Sequence, residues 1–423
     1  MPRVLLLLPT TTYRARDFLD AADSLDIEIV IGSDGRQTLE DLMGQRALVL
    51  PLGGGAENDV RASVAAIADA NEKTPFDAIV GVDDGGIVVA AAASDRLGLP
   101  ANDVAAVRRT RDKREQRSAF SAAEVPQPEY TALDPDDVRR LLAGERLDQI
   151  DHVTFPAVLK PPELSGSQGV IRVDAPGEMR AAAQRIVDII KGSTEETEEC
   201  SPGSGALVLE EFVAGPEVAV EAVVRSGNVR VLAVFDKPDP LDGPYFEETI
   251  YVTPSRHSDR DLRDLERVVA IGVGALGITE GPVHAEARLG DRGVRLLEVA
   301  ARSIGGLCAR ALRFGVGVTL EEVILRHALE LPVPVLVPEG AASGVMMLPI
   351  PHAGTLREVR GVDEARAVPG VVGLETTIPV GSAVVPLPEG DRYLGFLFGR
   401  GDDPAEVEDT LRRAHARLEI EIS

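Results

Sequence analysis

The sequence predicts an α/β chain that turns α+β in its later parts: a parallel-sheet unit first, a small mixed unit next, and then a larger region dominated by antiparallel strands. Three observations carry this. Short apolar runs alternate with helical patterns through the first hundred residues, at 3–8, 15–24, 27–31, 47–50 and 78–82, which is a βαβ series. From residue 218 onward the pattern is mainly strands, at 218–225, 229–235, 283–289 and 294–299, interrupted by one helix at 260–276. A length of 423 residues, 44% of them hydrophobic, exceeds one core and suits two to four globular domains.

The first element, with its run Val4, Leu5, Leu6, Leu7 and Leu8, could be taken for a secretion signal, but it is short and no small-residue cleavage site follows. A parallel strand buried on both faces requires the same residues. Asp83, Asp84, Gly85 and Gly86 follow the strand at 78–82, where an open α/β sheet places ligand-facing loops, although a solvated turn would look the same. A charged helical stretch at 102–123 is ended by Pro126 and Pro128 and marks a domain boundary. A strand at 153–160, a loop at 163–169, a strand at 170–173, a helix at 177–190 and a strand at 206–213 follow. The acidic tract 194–199 reads as an exposed connection, because clustered carboxylates repel. The tail from 343 carries short strands and a closing helix at 404–418.

Composition narrows the function. A net charge of −25 with no basic run works against nucleic-acid partners, which require clustered Lys and Arg. Cys200 and Cys308 cannot form a disulfide framework and neither has metal-type spacing, so a reducing cytoplasm is expected. No segment approaches the ~20 apolar residues of a membrane span.

Lysine usage is the sharpest clue, because only Lys73, Lys113, Lys160, Lys191 and Lys237 stand against a background of arginine. A compact ammonium suits a single phosphate oxygen in a tight site better than a planar guanidinium does. Lys160 ends an apolar strand, and the loop Ser165, Gly166, Ser167, Gln168, Gly169 follows, where glycines let backbone N–H groups cradle phosphate. Taken alone, that loop could equally be a simple turn. Glu210 and Glu211 sit where a strand runs into a turn; surface acids are the plain reading, and contact with nucleotide hydroxyls or an exocyclic amine is the functional one.

In a hairpin turning near Arg292, Glu286 and Glu298 fall opposite one another with Cβ atoms ~5 Å apart. Like charges so placed destabilise a sheet unless a cation lies between them, and carboxylates beside phosphates are the ligands Mg²⁺ takes. Arg302, four residues past Glu298, can reach the same negative charge. The alternative pairs both acids with Arg288 and Arg295, which strand alternation is expected to send to the opposite face. A dinucleotide fingerprint at Gly272, Gly274 and Gly277 is a decoy, since an amphipathic helix precedes it where a strand is needed.

In this order of parts the chain resembles the ATP-grasp superfamily over essentially its whole length, and within it the carboxylate–amine ligases that include L-amino-acid (dipeptide) ligases. The resemblance implies an N-terminal Rossmann-like domain at 1–118, an α+β lid at 119–205, a catalytic subdomain at 206–340 and a C-terminal subdomain at 341–423 packed on the catalytic sheet. It implies ATP with Mg²⁺ or Mn²⁺, phosphate contacts from Lys113, Lys160 and the 165–169 loop, and adenine and ribose contacts from Glu210, Glu211, the Val213 backbone and Glu217. Glu286 and Glu298 would hold metal, and Arg302 would be the phosphate or transition-state arginine. Ala300 departs from the family's pattern, which has a metal-binding Asn there, so more of the metal's ligands would be water. Lys237, Gly305 and Gly306 resemble parts of the amino-acid ligase branch, while Tyr245, Glu247, His257 and His284 are further pocket candidates that strand-end packing would also explain. The implied substrates are a carboxylate and an amine, amino acids among them, with no nucleic-acid or membrane partner and with a homodimer suggested. Other chemistry of the superfamily, purine-biosynthetic or of the biotin-carboxylase kind, and a non-catalytic nucleotide-binding module are the rival readings.

Overall fold

The computed structural model describes the chain except residues 10, 11, 13, 36–46, 53–56, 194–204, 315, 316 and 334–340. The acidic tract 194–199 and Cys200 therefore lie outside the described residues. The N-terminal sheet is parallel, with strands in the order Ala47–Val49, Glu28–Ser33, Arg3–Leu7, Ala78–Gly81. Val4 to Leu8 have no exposed surface. Leu6 and Leu8 pack with Phe18 of helix Ala15–Ser24 on one side. Leu5 and Leu7 pack with Ile67 of helix Glu57–Lys73 and Val88 of helix Asp84–Leu97 on the other. Two covered faces explain why this strand is continuously apolar.

Asp83 is the N-cap residue and Asp84 the first residue of a helix that sequence patterning did not show, so the expected loop is a helix start. Gly86 is required there, because a Cβ would lie 2.9 Å from the Leu7 carbonyl oxygen. The single helix expected at 102–123 is two, Val104–Arg111 and Lys113–Ala122, split at Asp112, whose carboxylate caps the second through the Arg114 N–H. This break puts Lys113 on a helix N-terminus, with its N–H bonded to the Pro162 carbonyl at 2.9 Å.

The second sheet is antiparallel, in the order Tyr130–Leu133, Leu207–Glu211, Ala157–Lys160, Ile171–Val173. Helices Pro135–Leu142 and Met179–Ser193 cover it, burying Leu159, Leu209, Leu141 and Ile186 together. Its inner strand at 207–211 runs past the boundary expected at 205. The third sheet has eight antiparallel strands: Gly293–Ala300, Glu280–Gly290, Glu217–Arg225, Asn228–Lys237, Ile250–Thr253, Ala342–Leu348, Gly395–Gly401 and Val371–Thr376. One face is covered by helix Asp259–Leu276 at one end and by Pro404–His415 at the other. The sheet is unbroken across residues 340 and 341, since Ile250–Thr253 pairs directly with Ala342–Leu348.

Gly272 and Gly274 lie inside helix Asp259–Leu276, and Gly277 caps it at φ 78°. Gly272 therefore serves packing and Gly277 helix termination, while Gly274 faces open space. Among the described residues, no helix is long and apolar enough to cross a membrane.

Candidate active site

The hairpin Glu280–Gly290 and Gly293–Ala300 is the foundation of the site. Glu286 and Glu298 are register partners, and Ala287 pairs with Leu296, so Leu297 is the extra residue of a β-bulge. On the first strand Val283, Ala285 and Ala287 pack beneath helix Asp259–Leu276, which leaves His284, Glu286 and Arg288 on the cavity face. The expectation that Arg288 and Arg295 point away from the acids is thus corrected. Arg288 is two residues from Glu286 and shares its face, and the bulge brings its register partner Arg295 to that side as well. Neither pairs with Glu286 or Glu298. Arg288 Nε donates to Glu217 at 2.9 Å, and another guanidinium nitrogen donates to the Val213 carbonyl at 2.9 Å. Its plane lies 4.9 Å from the Phe212 ring centroid. Arg295 bonds the Arg292 backbone.

Glu217, Glu248 and Glu286 each present an oxygen within 4.8 Å of the others. The Lys237 ammonium sits among them, 2.8 Å from Glu217 and 3.1 Å from Glu286, with Glu248 also in contact, and 5.1 Å from the Tyr251 ring centroid. Lys237, expected among the substrate residues, is thus held as the shared counterion of three acids that line the cavity. Burial and the neighbouring Glu286 and Glu217 push the Glu248 carboxyl up to about 7 despite Lys237. Glu286 goes the other way: burial opposes ionisation, but Lys237 and His284 outweigh it and hold the carboxyl well below its usual range. His284 Nδ1 is 2.5 Å from Glu221 and Nε2 is 3.3 Å from Glu286. Burial disfavours its protonation, yet these two acids raise it to about 9.

The lysines converge from other elements. Lys160 is 2.7 Å from Glu210, whose other oxygen accepts from Arg117 Nε at 2.7 Å. Burial would raise the Glu210 carboxyl, but Arg117 and Lys160 hold it down at about 2. Burial, with Arg117 and Lys113 nearby, lowers Lys160 in spite of Glu210. Glu210 is thus already bonded to two cations, and Glu211 pairs with Arg292 at 2.7 Å. Lys113 donates to the Leu164 carbonyl at 2.7 Å and lies 3.4 Å from Glu298. In the loop between them Gly166, Ser167 and Gly169 adopt φ of 62°, 60° and 70°. Ser165, Gly166 and Ser167 line the cavity, whereas the Gly169 N–H is bonded to the Pro388 carbonyl at 2.9 Å.

Arg302 makes a two-pronged pair with Asp84 at 2.9 and 2.8 Å, across the boundary between the first and third sheets. Burial alone would raise Asp84; Arg302 overrides it and sets its carboxyl at about 2. Gly305 faces open space, while Gly306, at φ 57°, abuts Phe396. Tyr245, Glu247 and His257 do not reach the cavity wall. Tyr245 packs on the second sheet beside Ile171, Glu247 accepts a backbone bond from Ile350, and His257 lies 3.9 Å from Asp236.

These groups surround one cavity of about 450 Å³ whose walls come from the units built on the parallel, four-stranded antiparallel and eight-stranded sheets, including Asp84, Lys113, Lys160, Glu286, Glu298 and Arg302. Sequence reasoning missed Arg117 and Glu221, although each had a signal: Arg117 is one helical turn past Lys113, and Glu221 shares strand parity with Glu217. The 237–248 segment and the tail at 393–396 also resemble the amino-acid ligase branch, and the fold brings Glu248 of the one and Tyr393 of the other, whose buried hydroxyl has no hydrogen-bond partner among the described residues, to this cavity.

Residues 153–311 match the ATP-grasp domain family, and residues 346–423 match the L-amino acid ligase C-terminal domain 2 family. Residues 153–311 thus form an ATP-grasp domain. An L-amino acid ligase from Bacillus licheniformis superposes with a TM-score of 0.80 at 22% identity, covering 100% of this chain and 99% of that one. N5-carboxyaminoimidazole ribonucleotide synthetase from Thermotoga maritima superposes at 0.71 with 15% identity over 100% of both chains. Carnosine synthase 1 from Gallus gallus is 30% identical over 66% of this chain and 30% of its own length. An uncharacterised protein, y4rH, from Sinorhizobium fredii is 24% identical over 77% of this chain and 64% of its own. The chain thus spans between 30% and 64% of the lengths of these two relatives.

In this ATP-grasp chain the donors at the hairpin fit a divalent metal. Two carboxylates meet at one strand position, Glu286 and Glu298 are partly exposed to the cavity, and hard oxygens are what Mg²⁺ prefers. Ala300 adds no donor, so the remaining ligands would be nucleotide oxygens and water.

Proposed function

We propose that this ATP-grasp protein joins a carboxylate to an amine at the expense of ATP, through an acyl phosphate, releasing ADP and phosphate. The observation that carries the reading is the meeting of Glu286 and Glu298 with Lys113, Lys160 and Arg302 around a single cavity. A carboxylate resists amines because its leaving group would be oxide; a phosphoryl group on that oxygen supplies a better one. The work left to the protein is positioning and charge stabilisation. Lys113, on a helix N-terminus, and Lys160, at a strand end, would hold phosphate oxygens, and Ser165 to Ser167 would cover them. Arg302 would neutralise the transferred group. Glu286 and Glu298 would hold Mg²⁺, which when bound screens the triphosphate charge. The second sheet closes the cavity and would keep water from the acyl phosphate.

Amino acids are the proposed substrates, in a cytoplasmic setting. The match of residues 346–423 favours them over phosphoribosylamine or bicarbonate. Screening the purified protein for ADP release with amino-acid mixtures, phosphoribosylamine and bicarbonate separates these chemistries. Within the active combination, Lys160→Ala or Glu298→Ala is expected to lower turnover by at least ~10²-fold, the usual cost of losing a transition-state electrostatic group. Rates near wild type in either variant would overturn the assignment.

A further inference from the structure

Two straps from the large sheet region clasp the second sheet. The first, residues 241–246, receives the Arg172 N–H at the Pro244 carbonyl, 2.9 Å, and the Arg172 guanidinium at the Asp242 carbonyl, 2.6 Å. The second, residues 386–394, accepts the Gly169 N–H at the Pro388 carbonyl, 2.9 Å, and the Gln168 amide at the Glu389 carbonyl, 2.8 Å. One side chain grips both. Arg185, on helix Met179–Ser193, donates to both oxygens of Glu389 at 2.5 and 3.0 Å, donates to the Tyr245 hydroxyl, and stacks 4.8 Å from the Tyr245 ring centroid.

We infer that Arg185 is a positioning residue, the latch that holds the nucleotide-covering loop closed on the acyl-transfer cavity. The second strap supplies the reason closure matters to chemistry: its next residues, Asp391, Arg392 and Tyr393, line the cavity together with Ser165, Gly166 and Ser167. One strap therefore ties the loop over the phosphates to the wall beside the reacting groups. The Arg185–Glu389 pair is about two-fifths exposed on both sides. Ion pairs so exposed are individually weak, and a contact released on every turnover has to be. Its geometric partners are what make it selective: a planar fork satisfied by one carboxylate, with an aromatic ring beneath it.

The inference rests on the ligase reading for its consequence but not for its geometry, so two readouts are needed. The first is hydrogen–deuterium exchange on the full chain, wild type against Arg185→Ala and Glu389→Gln. Exchange of peptides covering 165–173 and 386–394 is expected to speed up by about fivefold or more, with the strands Glu217–Arg225 and Glu280–Gly290 unchanged. The second is the ratio of ADP to amide with whichever substrate pair the screen identifies. In an opened site water replaces the amine at the acyl carbon, phosphate leaves and the carboxylate is regenerated, so ADP accumulates without amide and the ratio rises. The charge-exchanged double variant, Arg185→Glu with Glu389→Arg, should return both readouts toward wild type. Unchanged exchange in both peptides overturns the latch whatever the activity proves to be. Faster exchange with no substrate found leaves the latch standing and defeats the ligase reading alone.

Discussion

Glu210 shows how much one buried carboxylate can carry. Its partners Arg117 and Lys160 come from a helix and a strand of different units, and both are almost fully buried. A carboxyl held at about 2 when folded, against 4.5 ordinarily, contributes stability that is complete above pH 4.5 and disappears as the pH falls toward 2. At roughly 1.4 kcal/mol per tenfold change in proton affinity, that is about 3 kcal/mol. The melting-temperature difference between wild type and Glu210→Gln should accordingly be largest at neutral pH and shrink between pH 4.5 and 2. A difference that does not vary with pH would mean the carboxylate is not held ionised by its two cations. At this scale much of the site was legible. Lys113 and Lys160 stood out because arginine replaces lysine nearly everywhere else, and Glu286 with Glu298 followed from hairpin arithmetic. Lys237 met the same lysine criterion yet is held by three carboxylates of the cavity wall, since composition records that an ammonium is needed and not what it faces.

At the scale of elements, alternation and bulges decide which side chains meet. Faces cannot be carried across the bulge at Leu297 by counting, because one extra residue reverses parity and brings Arg295 to the side of Glu298. Continuous apolar strands in the N-terminal sheet were read correctly for the reason they exist: helices cover both faces. Helix Asp84–Leu97 escaped because its small, apolar composition presents little amphipathic contrast. The helix Asp259–Leu276 offers a test of packing. A Cβ at Gly272 would come within 2.3 Å of a Leu296 methyl, and Leu296 is fully buried. Alanine there would gain about 1 kcal/mol of helix propensity, comparable to the clash, so valine is the discriminating change. Gly272→Val is expected to destabilise by about 1–3 kcal/mol, as overpacking does. Chemical unfolding measures this, and a variant as stable as wild type would show that the interface has slack.

At the scale of the whole molecule, the eight-stranded sheet joins what sequence reading divided. Residues 341–423 were expected as a C-terminal subdomain packed on the catalytic sheet, and three of their strands belong to that sheet. Val345, Leu348, Phe396 and Leu397 are buried where they meet it. A chain ending at residue 341 would expose the hydrogen-bonding edge of Ile250–Thr253 together with this apolar surface. Such a truncation is expected to be insoluble or to lose cooperative melting, and a soluble, cooperatively folded 1–341 fragment would contradict that. No local pattern could have revealed this continuity, because strand order is a long-range property of the chain.

The Arg302–Asp84 pair bears on how the empty and occupied forms differ. A guanidinium left bare in the cavity wall would penalise folding before any ligand arrives, and Asp84, at the start of helix Asp84–Leu97 in the N-terminal unit, supplies the balancing anion. If Arg302 meets the transferred phosphoryl group as proposed, that group would evict the carboxylate or share the fork with it. On the proposed role of Arg302, the ligand's charge would thus compete with a tie between the N-terminal unit and the large sheet, and binding would trade one cross-unit contact for another.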